Sequence, residues 1–201
     1  MNIQQKAILI GIILGDGYLQ QTGKRNARIR LEQSELQHEY LLWKAHRFPE
    51  FFQGKPTRLS RYNAVYKKTY QYIRWQSYAS PEIGRFRQLF YEKGKKKIPK
   101  VLPSLLVHPI SVAVWYMDDG YLYHRDKMAY VYLPKYTKEE IDILLATLKE
   151  NFGLLPVVKV KRGNNVLTFS VKETVKLLLL VSPYIISSMS YKLLDPVSTE
   201  A

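Results

Sequence analysis

Ala7-Ile-Leu-Ile-Gly-Ile-Ile-Leu-Gly-Asp-Gly-Tyr-Leu19 and Ile110-Ser-Val-Ala-Val-Trp-Tyr-Met-Asp-Asp-Gly-Tyr-Leu122 share one grammar. Each is an apolar run of helix length that stops at Asp-Gly-Tyr-Leu, and the two aspartates, Asp16 and Asp119, stand 103 positions apart in a chain of 201. A repeat at half the chain length is read before any local pattern. The order of elements behind each run is parallel too: a strand-like stretch, an amphipathic helix, two more strand-like stretches, then helix. The sequence therefore reads as a tandem pair of α+β units, 1–97 and 110–201, joined by the proline-spaced linker 98–109.

In the first unit, Arg28-Ile-Arg-Leu-Glu-Gln33 alternates polar and apolar residues as a half-buried strand does. Ser34 then caps a helix expected from about Glu35 to Phe48, with Leu36, Tyr40, Trp43 and Ala45 inward. Pro56 to Tyr62 and Tyr66 to Tyr78 read as a hairpin around Asn63, and Ser80-Pro81 starts another helix. The second unit repeats this with Tyr121 to Tyr136 and a helix from Thr137, where Glu140 completes a capping box. A hairpin from Leu155 to Val171 turns at Gly163-Asn164-Asn165, with short helices at Val175–Leu180 and Tyr184–Ser188.

Why each run ends in aspartate is a chemical question. A carboxylate at a helix C-terminus faces the negative end of the macrodipole. Gly17 and Gly120 are expected to take the left-handed conformation that ends each helix. Asp118 adds a further acid beside Asp119. Two local violations without local benefit mark a functional site. The chain has no cysteine, and its four histidines fall in no metal-binding spacing, so any metal held here takes oxygen ligands. That is the chemistry of Mg²⁺ or a similar hard cation. Gly11 and Gly15, four apart on one helix face, permit close approach of a second helix. Packed side by side, the two runs would bring both aspartates to one end, an arrangement suited to clamping the attacking and leaving oxygens of a phosphodiester.

Composition points to the same class of partner. Thirty-one Lys and Arg against 17 Asp and Glu give a net charge of +14, which favours a polyanion. Residues 1–103 carry +13 of it and residues 104–201 only +1. The apolar N-terminal run is too short to span a bilayer and ends in Gly-Asp-Gly rather than at a small-residue cleavage site. The expectation is a non-secreted protein with no membrane partner.

Leu9-Ile-Gly-Ile-Ile-Leu-Gly-Asp16-Gly17 resembles the nine-residue signature of the LAGLIDADG homing endonucleases, and Val112-Ala-Val-Trp-Tyr-Met-Asp-Asp119-Gly120 resembles its second copy in single-chain, two-motif members. The second copy places Val114 and Asp118 where the signature has small residues. The resemblance covers essentially the whole chain. It implies an α+β fold of tandem pseudo-symmetric αββαββα repeats, with two saddle-shaped antiparallel sheets over duplex DNA and a central two-helix interface. It also implies a monomer in which Asp16 and Asp119 hold Mg²⁺, helped by the carbonyls of Gly15 and Asp118. Mn²⁺ would be tolerated, and Ca²⁺ would support binding without cleavage. A lysine near each scissile phosphate is implied as well, and Lys96 and Lys192 match those segments, with Lys97 next after Lys96. The products would carry 3′ overhangs, one phosphodiester being hydrolysed on each strand. The cut would serve copying of the host intron or intein, in bacterial cytoplasm, mitochondrion or chloroplast.

Strand parity nominates the groove-facing residues, since a sheet or ribbon fits the major groove and alternate side chains share a face. They are Arg28 and Arg30; Lys68, Tyr70, Tyr72, Arg74 and Gln76; and Arg58 and Arg61 on the paired strand. In the second unit they are Lys159 and Lys161, opposite Val158 and Val160, and Thr168 and Ser170, opposite Leu167 and Phe169. The alternative function is an RNA-binding maturase that assists splicing of its host intron, with or without cleavage. A degenerate DNA-binding regulator would lack an acid or a lysine, and none is missing.

Overall fold

A computed structural model describes residues 1–194; the last seven residues of the expected second unit lie outside the described residues. The first half runs α1 (Ile3–Leu14), β1 (Tyr18–Gln21), β2 (Ala27–Ser34), α2 (His38–His46), β3 (Thr57–Asn63), β4 (Lys68–Gln76) and α3 (Pro81–Phe90). A short hairpin, β5 (Tyr91–Glu92) with β6 (Lys95–Lys96), and the one-turn helix α4 (Leu102–Leu105) come next. The second half runs α5 (Pro109–Asp119), β7 (Gly120–Tyr123), β8 (Met128–Tyr132), α6 (Lys138–Phe152), β9 (Val157–Lys161), β10 (Asn164–Thr168) and α7 (Val171–Val181). The order αββαββα thus occurs twice. The two main sheets have the same strand order, β1-β2-β4-β3 and β7-β8-β10-β9, and every neighbouring pair is antiparallel.

The two motif helices form the centre. Ala7 to Leu14 and Ile110 to Met117 are buried without exception, as helices apolar on every side must be. They run parallel: Ser111 Oγ donates to Ala7 O at 2.7 Å, Gly11 faces Val114, and Gly15 faces Asp118. A Cβ added at Gly11 would stand 2.5 Å from Ser111 O and 2.7 Å from Val114 Cβ, and one at Gly15 would stand 2.6 Å from Asp118 Cβ. The small residues missing from the second motif are therefore not needed there. The glycines of α1 receive the larger side chains of α5.

Several local expectations are corrected. Neither Gly17 nor Gly120 is left-handed, because Gly120 has φ −76° and the positive-φ glycines are Gly54, Gly94, Gly153 and Gly163. Space, not conformation, excludes a side chain at Gly17, where a Cβ would meet Ile12 O at 2.7 Å. The expected 35–48 helix begins as a 3-10 turn over Glu35–Gln37 and continues as α2. Its buried face is Tyr40, Leu41, Lys44 and Ala45, while Leu36 is 96% exposed. The β9–β10 hairpin turns at Arg162-Gly163, both with positive φ, and Asn164 already belongs to β10. The helix expected at Val175–Leu180 is the longer α7, followed by 3-10 turns at Ser182–Tyr184 and Ser187–Lys192. The Thr137 capping box forms as read, with bonds of 3.3 and 2.7 Å to and from Glu140. Among the described residues, no helix is long and apolar enough to cross a membrane.

Candidate functional site

Because α1 and α5 are parallel and in register, their C-terminal ends deliver Asp16 and Asp119 to the same place. Asp16 is exposed at the tip and Asp119 half-buried. Two clefts open there. One, of about 350 Å³, is lined by Gly15, Asp16, Lys96, Asp119, Tyr132, Leu133 and Pro134. The other, of about 400 Å³, runs from Asp16 along Arg30, Glu32, Gln33 and Tyr72 onto the first sheet.

Each aspartate comes with a lysine from a different element. The tight β5–β6 hairpin turns at Lys93-Gly94, both with positive φ, and returns Lys96 to the site, where its Nζ donates to Gly15 O. The neighbouring Lys97 instead lies 3.8 Å from Glu92. The 3-10 turn at Ser187–Lys192 carries Lys192, 6% exposed, whose Nζ donates to Met117 O, to Tyr116 O at 3.3 Å and to Asp118 O at 3.5 Å. Tyr116 locks that turn by donating its hydroxyl to Lys192 O at 2.9 Å. Both lysines thus bind carbonyls at a motif helix end, where a helix leaves acceptors unpaired.

The Asp118 side chain, the further acid beside Asp119, turns inward. It is fully buried and forms an ion pair of 2.7 Å with Lys44 of α2, itself 1% exposed. It also accepts from Asp16 N at 3.1 Å. Gln33 Nε2 stands 3.3 Å from both Asp16 Oδ2 and Asp118 Oδ1. The Asp118 backbone carbonyl, by contrast, accepts from Lys192. Lys44 and Gln33 were not anticipated. Lys44 had a signal: it lies four residues after Tyr40 on the apolar stripe of α2, where a solvated lysine does not belong.

Within this partly buried cluster of three acids and three lysines, Asp16, Asp119, Lys96 and Lys192 are shifted from their ordinary pKa values. Desolvation, then the Asp16 and Asp118 charges, raises the Asp119 carboxyl to about 8. Desolvation and the Asp118 charge also raise Asp16. Desolvation lowers Lys96, against the pull of the three acids, and lowers Lys192 to about 8. Such shifts gather where chemistry is done. For a metal, the donor set fits a hard cation: one carboxylate from each motif and the Gly15 and Asp118 carbonyls, all oxygen. Among the described residues no three acidic or histidine side chains form a complete metal cage. An ion here would complete its shell with water and phosphate oxygens, as Mg²⁺ commonly does.

The expected groove-facing residues divide. Register places Arg28, Arg30, Lys68, Tyr70, Tyr72, Arg74, Gln76 and Arg61 on one face of the first sheet, opposite the buried Ile29, Leu31, Ile73 and Trp75. Arg58 is on the other face, since it pairs with Ile73 and stands an odd number of residues from Arg61; its partner is Glu35 at 2.8 Å. Glu32 ties down Arg61 and Arg74, each at 2.6 Å. Burial would raise the Glu32 carboxyl, but those two bonds hold it below its usual range. In the second half Lys159 is exposed and Lys161 lies 3.4 Å above the Tyr130 ring. Val160 is 70% exposed rather than inward, at the overhanging end of the hairpin. Thr168 is 2% exposed and Ser170 caps α7 through Glu173 N at 3.3 Å, so neither presents a free side chain to a groove.

The sequence profile of the LAGLIDADG DNA endonuclease family matches residues 6–177. A probable intron-encoded endonuclease of Wickerhamomyces canadensis is 30% identical over 197 residues, 94% of this chain and 84% of that protein. The solved structure of the homing endonuclease I-WcaI bound to its DNA recognition sequence superposes with a TM-score of 0.88 at 28% identity, over 96% of this chain and 87% of the other. The cytochrome b mRNA maturase bI2 of Debaryomyces hansenii is 24% identical over 92% of this chain and 72% of its own length. The chain spans about 46% of some longer relatives that it also matches.

Proposed function

The chain belongs to the LAGLIDADG DNA endonuclease family as a single chain with two motifs, and on that premise we propose that Asp16 and Asp119 support divalent-metal-dependent hydrolysis of one phosphodiester on each strand of a long duplex target. The protein is a homing endonuclease, a site-specific DNA nuclease. One observation carries the reading of the site: parallel motif helices bring both acids to one cleft, each with a lysine on the adjoining carbonyl.

Asp16, Asp119 and the Gly15 and Asp118 carbonyls would hold Mg²⁺ or Mn²⁺. When bound, such ions stabilise negative charge on the phosphate and lower the pKa of a coordinated water. The chain's own residues supply the rest. Lys96 and Lys192, held less basic than surface lysines, leave their carbonyls to neutralise charge on the scissile phosphates or to accept and return a proton. Arg28, Arg30, Lys68 and Lys159 set the register on phosphates and base edges. Ca²⁺ would support binding without cleavage, the products would carry 3′ overhangs, and the protein would act as a monomer.

Replacing Lys192 by methionine is expected to slow single-turnover cleavage about 100-fold while weakening DNA binding less than about threefold. The reverse pattern would make Lys192 a phosphate anchor. Affinity for the target is expected to fall linearly on a log–log plot against salt, with a slope of about −0.9 per phosphate neutralised. A flat response would contradict a sheet laid on DNA. The likeness to a maturase supports a second reading, binding of host intron RNA by the same chain. Its test is competition: intron RNA that leaves cleavage of the DNA target undisturbed uses another surface.

A further inference from the structure

The cluster contains an ion pair that the cleavage chemistry leaves without a task. Lys44 and the Asp118 carboxylate are both sealed from solvent, 1% and 0% exposed, and meet at 2.7 Å. They come from opposite halves of the chain, Lys44 from α2 behind the first sheet and Asp118 from the last turn of α5. The corresponding place in the first motif is Gly15, which has no side chain, so the arrangement is one-sided. Asp118 then spends its other oxygen on the backbone of the first motif, accepting from Asp16 N at 3.1 Å. Gln33, from the strand beside it, reaches both carboxylates at 3.3 Å. Lys44 also lies 4.1 Å above the Tyr40 ring, and the Tyr40 hydroxyl donates to Val114 O at 3.0 Å, a second bond from α2 to α5.

We infer that Lys44 is a positioning residue: through Asp118 it fixes the backbone at Asp16, setting the place of the first-motif acid from the second half of the chain. A buried carboxylate without its cation is strongly unfavourable. Without Lys44, Asp118 would be a buried charge stripped of its contacting ion-pair partner beside Asp16 and Asp119, and would turn away from Asp16 N. Neutralising both partners is different, because an asparagine at 118 keeps an oxygen for the Asp16 N–H while no buried charge is left without a counter-charge. Lys44 lies beneath the first sheet, so its effect is on the chemical step and not on DNA contact.

The test uses the intact protein with Lys44→Met, Asp118→Asn and the double variant, reading single-turnover cleavage at saturating Mg²⁺ and enzyme, DNA affinity in Ca²⁺, and melting temperature. Each single variant is expected to cut about 10- to 100-fold more slowly, the scale of a small misplacement of reacting groups, with DNA affinity within about threefold. The double variant is expected to recover to within about threefold of the parent rate. Singles that cut at the parent rate would overturn the inference, and so would a double variant no faster than either single. If Lys44→Met does not fold, Asp118→Asn against the double variant carries the same decision. The inference rests on Asp16 as a catalytic acid, and an Asp16→Asn control separates the two. Cleavage by that control sinks the reading of the site, whereas an inactive control beside unaffected Lys44 and Asp118 variants sinks only the positioning role.

Discussion

Replacing Asp16 by asparagine is expected to lower cleavage of the target duplex by about 1000-fold or more, with Asp119→Asn doing the same, while both proteins stay folded and bind DNA in Ca²⁺ nearly as the parent does. The expectation comes from where these side chains stand. Asp16 lies at the exposed tip of α1, after the last buried turn, so its carboxylate contributes nothing to the core. Asp119 is half-buried with a carboxyl raised to about 8 by desolvation and by Asp16 and Asp118. Removing either negative charge relieves the other acids, so the folded state is not penalised. What is lost is one of two side-chain oxygens offered from opposite motifs to a cation, and asparagine's neutral oxygen is a much weaker ligand for Mg²⁺. Parent-like cleavage by either variant would overturn the assignment of metal-binding acids.

Gly11→Val is expected to destabilise the protein by about 3 kcal/mol or more, a melting temperature lower by about 10 °C. Gly11 lies midway along the contact between α1 and α5, where every neighbour is buried. Its Cβ alone would stand 2.5 Å from the Ser111 carbonyl oxygen and 2.7 Å from Val114 Cβ, and a backbone carbonyl in the next helix cannot swing aside. The helices must separate, opening voids along a close-packed interface and parting Asp16 from Asp119. The comparison is Gly23→Ala in the β1–β2 turn, where an added Cβ meets nothing within 4 Å and φ is not positive. There the melting temperature is expected to move by less than about 2 °C. A Gly11→Val protein that melts with the parent would contradict the close helix contact.

These two predictions draw on what the sequence states most openly. The doubled apolar run ending at aspartate is a long, strongly patterned signal, and it carries the αββαββα repeat, the central helix pair and the placing of Asp16 and Asp119 together. Strand parity likewise separates Arg28 and Arg30 from Ile29 and Leu31 without knowledge of the sheet. Parity fails where pairing register is needed. Thr168 is covered although Val157, its partner across the ladder, is exposed, whereas Arg58 and Arg61, three apart, fall on opposite faces by parity itself. Ser170 lies beyond the end of β10, at a helix cap.

The least legible part is the wiring between halves. Nothing local to Asp118 says that its carboxylate turns inward, since its partner lies 74 residues away on α2. Lys96 stands out from Lys95 and Lys97 only through the two-residue turn at Lys93-Gly94, which sets which lysine faces the cleft. Long-range polar contacts of this kind have no periodicity. The one trace they leave is a charged residue on an apolar face, as at Lys44.

The measurement that bears most directly on the two-acid site is cleavage of a randomised duplex library in Mg²⁺, with every cut end sequenced, beside Asp16→Asn and Asp119→Asn. Discrete paired ends from the parent, absent from both variants, are the predicted result and would deliver the target site with the activity. No ends in Mg²⁺ or Mn²⁺, or ends that persist in either variant, would contradict it.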